Sequence, residues 1–404
     1  MTVGRWKNAA LLGAALALLV GALAASAGAT TDTRGGSAAT IKIGIIYSRT
    51  GALAGFGAEY VEGFRYGLTY ARKTMKNCGG NKFSVTYVDD QTNPTNAVNA
   101  AKDLIGQGYK IIGGSTSSGS AAQVAPIADQ NDVLFISGAA AADVITGLNR
   151  HTFRAGRQSY QDVLDARGFF SNKTIGKKVV VFAEDTAFGA SNFAAVQAVF
   201  GGRGHTVTKV LAPFGVSDLT PYIQQLKNAN ADLVFVAWAN TSTSAAMWTS
   251  MQQQGIMRAT TVTTGLPDRV TYPTLGPLFE GAKLLSHYVY QAPKNKANNW
   301  LVAQMKKKKK VPDLFTPDGF VTAQMICRAV QKSGGSNVDR MISALEGWQF
   351  AAPKGIERIR QADHAMLQPM FQVQLVKQGS KYEPKVLKTV SPGNVQPPLH
   401  PFGS

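Results

Sequence analysis

Cysteine is scarce in this chain: two of 404 residues, Cys78 and Cys327. A disulfide-dense scaffold and a cysteine-rich metal site are excluded. Histidine is nearly as rare, and the five, His151, His205, His287, His364 and His400, stand far apart and never at H-x-x-x-H spacing. Metal ligation therefore has no support in the sequence. Charge is thin at 16% of residues, and acids are the scarcer sign, 24 Asp and Glu against 42 Lys and Arg. Catalytic signatures are missing too: there is no G-x-S-x-G elbow, Walker A loop or G-x-G-x-x-G, and Gly201 to Gly204 read as a turn before a strand. The paired acids Asp89, Asp90 and Glu184, Asp185 fall at strand ends, where helix-end and hinge carboxylates belong. No enzyme activity and no cofactor are expected.

What is present is apolar. Hydrophobic residues make up 45% of the chain, enough for sizeable cores, with no Gly-X-Y period, heptad run or solenoid-length repeat. The net charge of +18 bears on partners, not on fold. Apart from Lys306 to Lys310, most basic residues are dispersed, without the aromatic interleaving or reading motif of a nucleic-acid binder, so no nucleic-acid partner is expected. The lysine run follows Trp300 to Met305 and reads as the solvated end of a helix; electrostatic contact with an anionic membrane or wall polymer is the sharper alternative.

One long hydrophobic run, Ala9 to Leu23, follows Arg5 and Lys7 and precedes the small residues Ala24 to Ala29. This is the layout of a secretory signal peptide, residues 1–29, with cleavage after Ala27 or Ala29. No cysteine follows the run, so no lipid anchor is expected, and residues 30–39 read as a flexible lead-in. The mature protein is expected to be exported, periplasmic or extracellular. Its two cysteines are then either joined in a disulfide or kept as separate buried thiols.

From residue 40 onward, strand and helix signals alternate. IKIGIIY, Ile41 to Tyr47, is a short β-branched run almost free of charge, and Ala58 to Met75 is amphipathic. Strand signals recur at Phe83–Val88, Lys110–Gly113 and Val133–Ser137, with helical ones at Pro94–Gly106 and Ala121–Asn131. After His151 to Gln158 the alternation restarts, with strands at Lys178–Ala183, Thr206–Ala212 and Leu233–Ala237. Short strands separated by helices make βαβ units around a parallel sheet. Two such doubly wound, Rossmann-like halves would collect ligand contacts beyond their strand ends, in the cleft between them.

The stretches IGIIYSRTGALAGFGAEYVEGFRYGL, VDDQTNPTNAVNAAKDLI, GGSTSSGSAAQVAPIADQNDVLFIS, FRAG, AEDTAFG and SDLTPYIQQLKNANADLVFVAWA follow one another in this order. Together they resemble the type I periplasmic solute-binding proteins, and within them the leucine, isoleucine and valine-binding branch that serves ABC importers, over roughly residues 40–390. The resemblance implies an α/β fold of two lobes joined by a three-crossing hinge. Lobe 1 would comprise residues 40–155 and 290–350 and lobe 2 residues 156–289 and 351–395, with 396–404 as a tail. The crossings would fall near 155–160, 287–291 and 350, and Met370–Val376 with Lys385–Val390 would close the second lobe as a hairpin. It also implies a monomer that closes on a small solute and presents the closed form to permease subunits. A soluble sensor that signals through a separate membrane protein is the alternative.

Several residues carry the expected site. Ser115 to Ser118 lead into a helix, where hydroxyls and free N–H groups suit a carboxylate. The family's binding serine matches Ser117 or Ser118, and its next turn matches Ala139, Ala140 and Ala141, with Ala141 at a threonine position. The resemblance places Phe56 where the family has an aromatic over the ligand and Phe188 at a tyrosine position, and Trp238 ends a strand; all three are expected as apolar walls. Amino-acid binders of the family pair the ligand ammonium with an acid after the strand near residue 262, but here Thr263 to Pro267 contain none and Asp268 comes late. A buried ammonium without a partner is strongly disfavoured, so an uncharged amide or an apolar or aromatic carboxylate is expected in place of a free amino acid. Asp268 or Glu184 would restore the amino-acid reading if its loop swings inward.

Overall fold

The computed structural model describes residues 40–169 and 175–402; the expected signal segment and lead-in lie outside them. β1 (Thr40–Tyr47) carries isoleucines on both faces, all buried, which makes it a central strand. Around it stand β2 (Lys82–Asp89), β3 (Ile111–Gly114), β4 (Leu134–Ser137) and β5 (Thr152–Arg154), all parallel, in the order β2-β1-β3-β4-β5. The connecting helices are α1 (Ala54–Thr74), the short α2 (Lys76–Gly79), α3 (Pro94–Gly106) and α4 (Ser118–Gln130). Asn93 and Ser117 start α3 and α4 by accepting backbone N–H groups of the first turn.

The chain then crosses to a second lobe through Ala155–Gln158. There α5 (Ser159–Ala166), β6 (Lys178–Glu184), α6 (Ala187–Val199), β7 (Thr206–Ala212), α7 (Thr220–Asn228), β8 (Leu233–Ala237), α8 (Thr241–Gln253), α9 (Ile256–Ala259) and β9 (Thr261–Thr264) repeat the winding. The parallel sheet runs β7-β6-β8-β9. After α10 (Tyr272–Phe279), a bridge from Gly265 to Leu285 carries that sheet on to β10 (Leu284–Ser286).

A return passage rebuilds lobe 1 with α11 (Lys296–Lys306), α12 (Thr316–Ser333) and α13 (Val338–Leu345). α12 is buried along nearly its whole length and lies against α1. Their close approach depends on missing side chains: a Cβ on Gly319 would fall onto the Tyr60 carbonyl oxygen, and one on Gly63 onto that of Thr316. Cys78 on α2 and Cys327 on α12, both fully buried, are joined in a disulfide with Cα atoms 4.9 Å apart.

The antiparallel strands β11 (Gln349–Ala352), β12 (Gly355–Ile359) and β13 (Met366–Leu367) follow. Their buried residues Phe350, Ala352, Ile359 and Met366 share one core with Ile43 and Phe64. Residues 349–367 therefore belong to lobe 1, and the third crossing lies at Gln368–Pro369 instead of near 350. The reason is that alternate side chains of β11 and β12 need an apolar surface, and α12 and α13 present one directly before them in the chain. The antiparallel pair β14 (Met370–Gln378) and β15 (Lys381–Val390) then completes the second lobe's sheet beside β10. Beyond it the tail docks on lobe 1, where Arg360 donates to the carbonyls of Pro397 and Pro398 and Phe402 meets His364 edge-on. Among the described residues no helix is long and apolar enough to cross a membrane.

Candidate functional site

Loops that follow β1, β3 and β4 face those that follow β6, β8 and β9 across a cleft that encloses a cavity of about 160 Å³. The lobes touch around it. Thr241 donates to the Ala52 carbonyl through both its N–H (3.2 Å) and its hydroxyl (2.9 Å), and Ser191 exchanges hydrogen bonds with Asp143 at 2.8 Å.

Five of the side chains expected at a ligand line the cavity: Phe56 and Ser118 from lobe 1, Phe188, Trp238 and Asp268 from lobe 2. Ala139 and Ala141 line it as well. Ser117 and Ala140 do not: the Ser117 hydroxyl is spent on the α4 cap, and Ala140 turns into a core with Val124 and Phe135. Trp238 is fixed by its indole N–H, which donates to Thr243 at 3.0 Å. Glu184 lies off the cavity and ties down the start of α8 by accepting the N–H groups of Ala239 and Asn240. Burial pushes its carboxyl up to about 7 against those two hydrogen bonds.

Ser118 is the informative group. Its oxygen accepts the N–H groups of Ala141 (3.2 Å) and Ala142 (3.1 Å), which uses both lone pairs. The hydroxyl proton remains to be given away, and the side chain borders the cavity. The turn it holds is braced from behind by the fully buried Arg154, whose guanidinium donates to the carbonyls of Ala140, Ala142 and Arg157. The Ala140 and Ala142 carbonyls of that turn are thus already engaged by Arg154.

Among the lining residues not singled out in the sequence are Arg157, His287 and Phe315. Arg157, only 8% exposed, pairs through Nε with Asp162 (3.3 Å), donates through Nη1 to Ala139 and lies 5.5 Å from the Phe315 ring centre. Burial pushes the Asp162 carboxyl up to about 6 against the pull of Arg157. Among the described residues Nη2 of Arg157 has no hydrogen-bond partner, which leaves one guanidinium edge for an anion. His287 is held neutral by burial and by the neighbouring Arg157 and Lys354 charges, and its Nε2 is buried without a partner among the described residues. Phe315 meets both Phe56 (4.5 Å) and His287 (5.1 Å). The signal for Arg157 and His287 was their place on the expected crossings, where polar side chains are unusual unless they face the cleft.

The arrangement can hold an acceptor such as a carboxylate at Ser118 and Arg157 and a flat apolar body between Phe56, Phe188, Trp238 and Phe315. It contains no nucleophile paired with a base.

A family model described as periplasmic binding protein matches residues 40–381. Among curated proteins, a Leu/Ile/Val-binding protein homolog of Brucella melitensis is 24% identical over 308 residues, covering 74% of this chain and 81% of its own. A crystal structure described as an ABC-type branched-chain amino acid transporter from Rhodopseudomonas palustris is 30% identical, covers 89% of this chain and 99% of its own, and superposes with a TM-score of 0.72. A solute binding protein of an ABC transporter from the same species, in complex with 4-hydroxybenzoate, is 22% identical and covers 87% of this chain and 97% of its own at a TM-score of 0.79. That second likeness is one of fold.

Proposed function

Because the chain belongs to the periplasmic binding protein family, we propose that it is the exported receiver of an ABC importer, and that its solute is a small carboxylate with an apolar, single-ring body. The observation that carries this reading is the Ser118 hydroxyl, with both lone pairs occupied and its proton free on the cavity that Arg157, with one unfilled edge, also lines. The cavity size supports it, since an apolar cavity of about 150 Å³ is known to take one benzene ring. Aromatic walls from both lobes make closure on the solute and retention of the solute the same event. The solute-bearing closed form is then what permease subunits receive; the protein acts by binding and not by chemistry. The fold-level neighbour that holds 4-hydroxybenzoate is consistent with this class.

A free amino acid is the second reading, favoured by Asp268, which lines the cavity although it comes late in its loop. Isothermal titration with benzoate, 4-hydroxybenzoate and leucine separates the two. Binding of the benzoates, weakened by about 1–3 kcal/mol in Ser118→Ala and by more in Arg157→Gln, supports the carboxylate reading. Binding of leucine alone transfers the assignment to Asp268 and an ammonium. Binding of no small acid, amide or amino acid defeats both.

A further inference from the structure

We propose that closing the cleft takes up a proton at a carboxylate trio assembled from both lobes, so that solute capture tightens as pH falls. The proposal rests on the solute-capture reading and concerns its regulation.

The trio is Glu59 on α1, Asp313 just ahead of α12 and Asp268 beyond β9, with one oxygen of each within 4.8 Å of the others. The first two belong to lobe 1 and the third to lobe 2, so an open cleft takes the group apart. Asp268 is 7% exposed, and its Oδ1 is buried without a partner among the described residues. Glu59 accepts the Phe315 N–H at 2.9 Å, while Asp313 accepts those of Leu314 (3.0 Å) and, across the cleft, Arg269 (2.7 Å). Solute entry and assembly of the trio are one movement, because Asp268 and Phe315 both line the cavity.

Surrounding charges do not neutralise it. The Arg269 guanidinium is turned to Glu383, with two bonds of 2.8 and 2.9 Å, and lies over the rings of Tyr272 and Tyr290. Asp318 on α12 adds a further acid, itself paired with Lys354 at 2.6 Å, and Arg157 is engaged by Asp162. Glu62, one turn along α1, is paired with Lys310. Three carboxylates this close, Asp268 buried and Glu59 and Asp313 half-buried, resist being ionised together. Burial and then Asp313 push Asp268 up to about 8; burial, opposed by the Arg269 contacts, leaves Asp313 at about 6; burial and then Asp313 and Asp268 hold Glu59 well above its usual range. In the open form each returns to water and to an ordinary carboxylate pKa. The closed form is therefore favoured below the raised values and loses that advantage as pH rises through them.

The test is calorimetric titration of 4-hydroxybenzoate at pH 6, 7 and 8 in two buffers of different ionisation heat. Uptake of one proton or more per solute at pH 7 is expected, with affinity falling by tenfold or more between pH 6 and 7. Glu59→Gln leaves the cavity lining untouched and can still accept the Phe315 N–H. It should bind more tightly than wild type at pH 8 and flatten the profile, whereas a merely structural role would weaken binding at every pH. Asp268→Asn should flatten the profile as well. Affinity independent of pH without proton exchange, or an unchanged slope in both variants, overturns the proposal. If 4-hydroxybenzoate binds at no pH, the carboxylate reading fails on its own, and closure is read by small-angle X-ray scattering without solute. Compaction from pH 8 to 6 that Glu59→Gln abolishes supports the trio; a radius of gyration indifferent to pH overturns it.

Discussion

Replacing Gly319 by alanine tests the packing that sets one wall of the cleft. The new methyl would lie on the Tyr60 carbonyl oxygen and 2.7 Å from the Phe64 nitrogen, both backbone atoms of α1 that no rotamer change can move. The helices must separate, so a cost near the upper end of the overpacking range, about 3 kcal/mol, is expected. Alanine also favours the helix over glycine by about 1 kcal/mol, which leaves a net loss of about 2 kcal/mol. For a lobe of this size that corresponds to a melting point lower by about 4–8 °C. Gly106→Ala at the end of α3 is the internal control: nothing lies within 4 Å of its Cβ, so the same change should be neutral or mildly stabilising. Thermal unfolding followed by circular dichroism reads both. Gly319→Ala as stable as wild type would refute the claim that α1 and α12 meet backbone to backbone. Phe56 and Phe315 sit on and beside those helices, so weaker solute binding should accompany the lost stability.

Three further outcomes follow from other parts of the molecule. Reduction of Cys78–Cys327 opens a loop of 249 residues, worth about 5.5 kcal/mol on a chain-entropy account, and an unfolding midpoint unmoved after verified reduction would contradict it. Glu357 is fully buried with neither oxygen partnered among the described residues, and burial, opposed by Lys354, pushes its carboxyl up to about 8. Its folded-state pKa is raised, so wild type loses stability as pH climbs from the ordinary carboxylate range to 8; Glu357→Gln should melt higher at pH 8 and lose that advantage near pH 5, and a gap constant in pH would sink the argument. Lys306 to Lys310 are all exposed at the end of α11, with Lys310 paired to Glu62. Salt-reversible binding to phosphatidylserine vesicles, reduced when the five become glutamine, would assign the run a surface contact, and equal binding of the variant would make it a solvated helix end.

The alternation of strand and helix was legible because it is local: β1, β6 and β8 announce themselves as short apolar runs with charge confined to Lys42, Lys178 and Glu184. Lobe membership was less so. β11 to β13 are two to five residues long, and nothing in such short segments says which of two cores they will meet. At the site, Ser118, Phe56 and Phe188 were readable from the family resemblance and Trp238 from its strand end, since strand-end loops converge in any doubly wound fold. Arg157, His287 and Phe315 were not, since they lie on or beside three separate passages and become neighbours only when the hinge is built. Glu59 was invisible as a site residue for the same reason: its acidic neighbours are about 210 and 250 positions away, beyond the reach of any spacing argument.

The disulfide has a topological consequence. Both cysteines lie in lobe 1, and the chain between them passes through all of the second lobe up to β10 before it returns. Most of that lobe is therefore held inside a covalent ring, attached at both ends to a single buried clamp. A protease that cuts one exposed loop there, such as the stretch from Pro213 to Asp218, would release no fragment. The severed halves would stay at high effective concentration against their own sheet, and the nick would appear on a gel only after reduction.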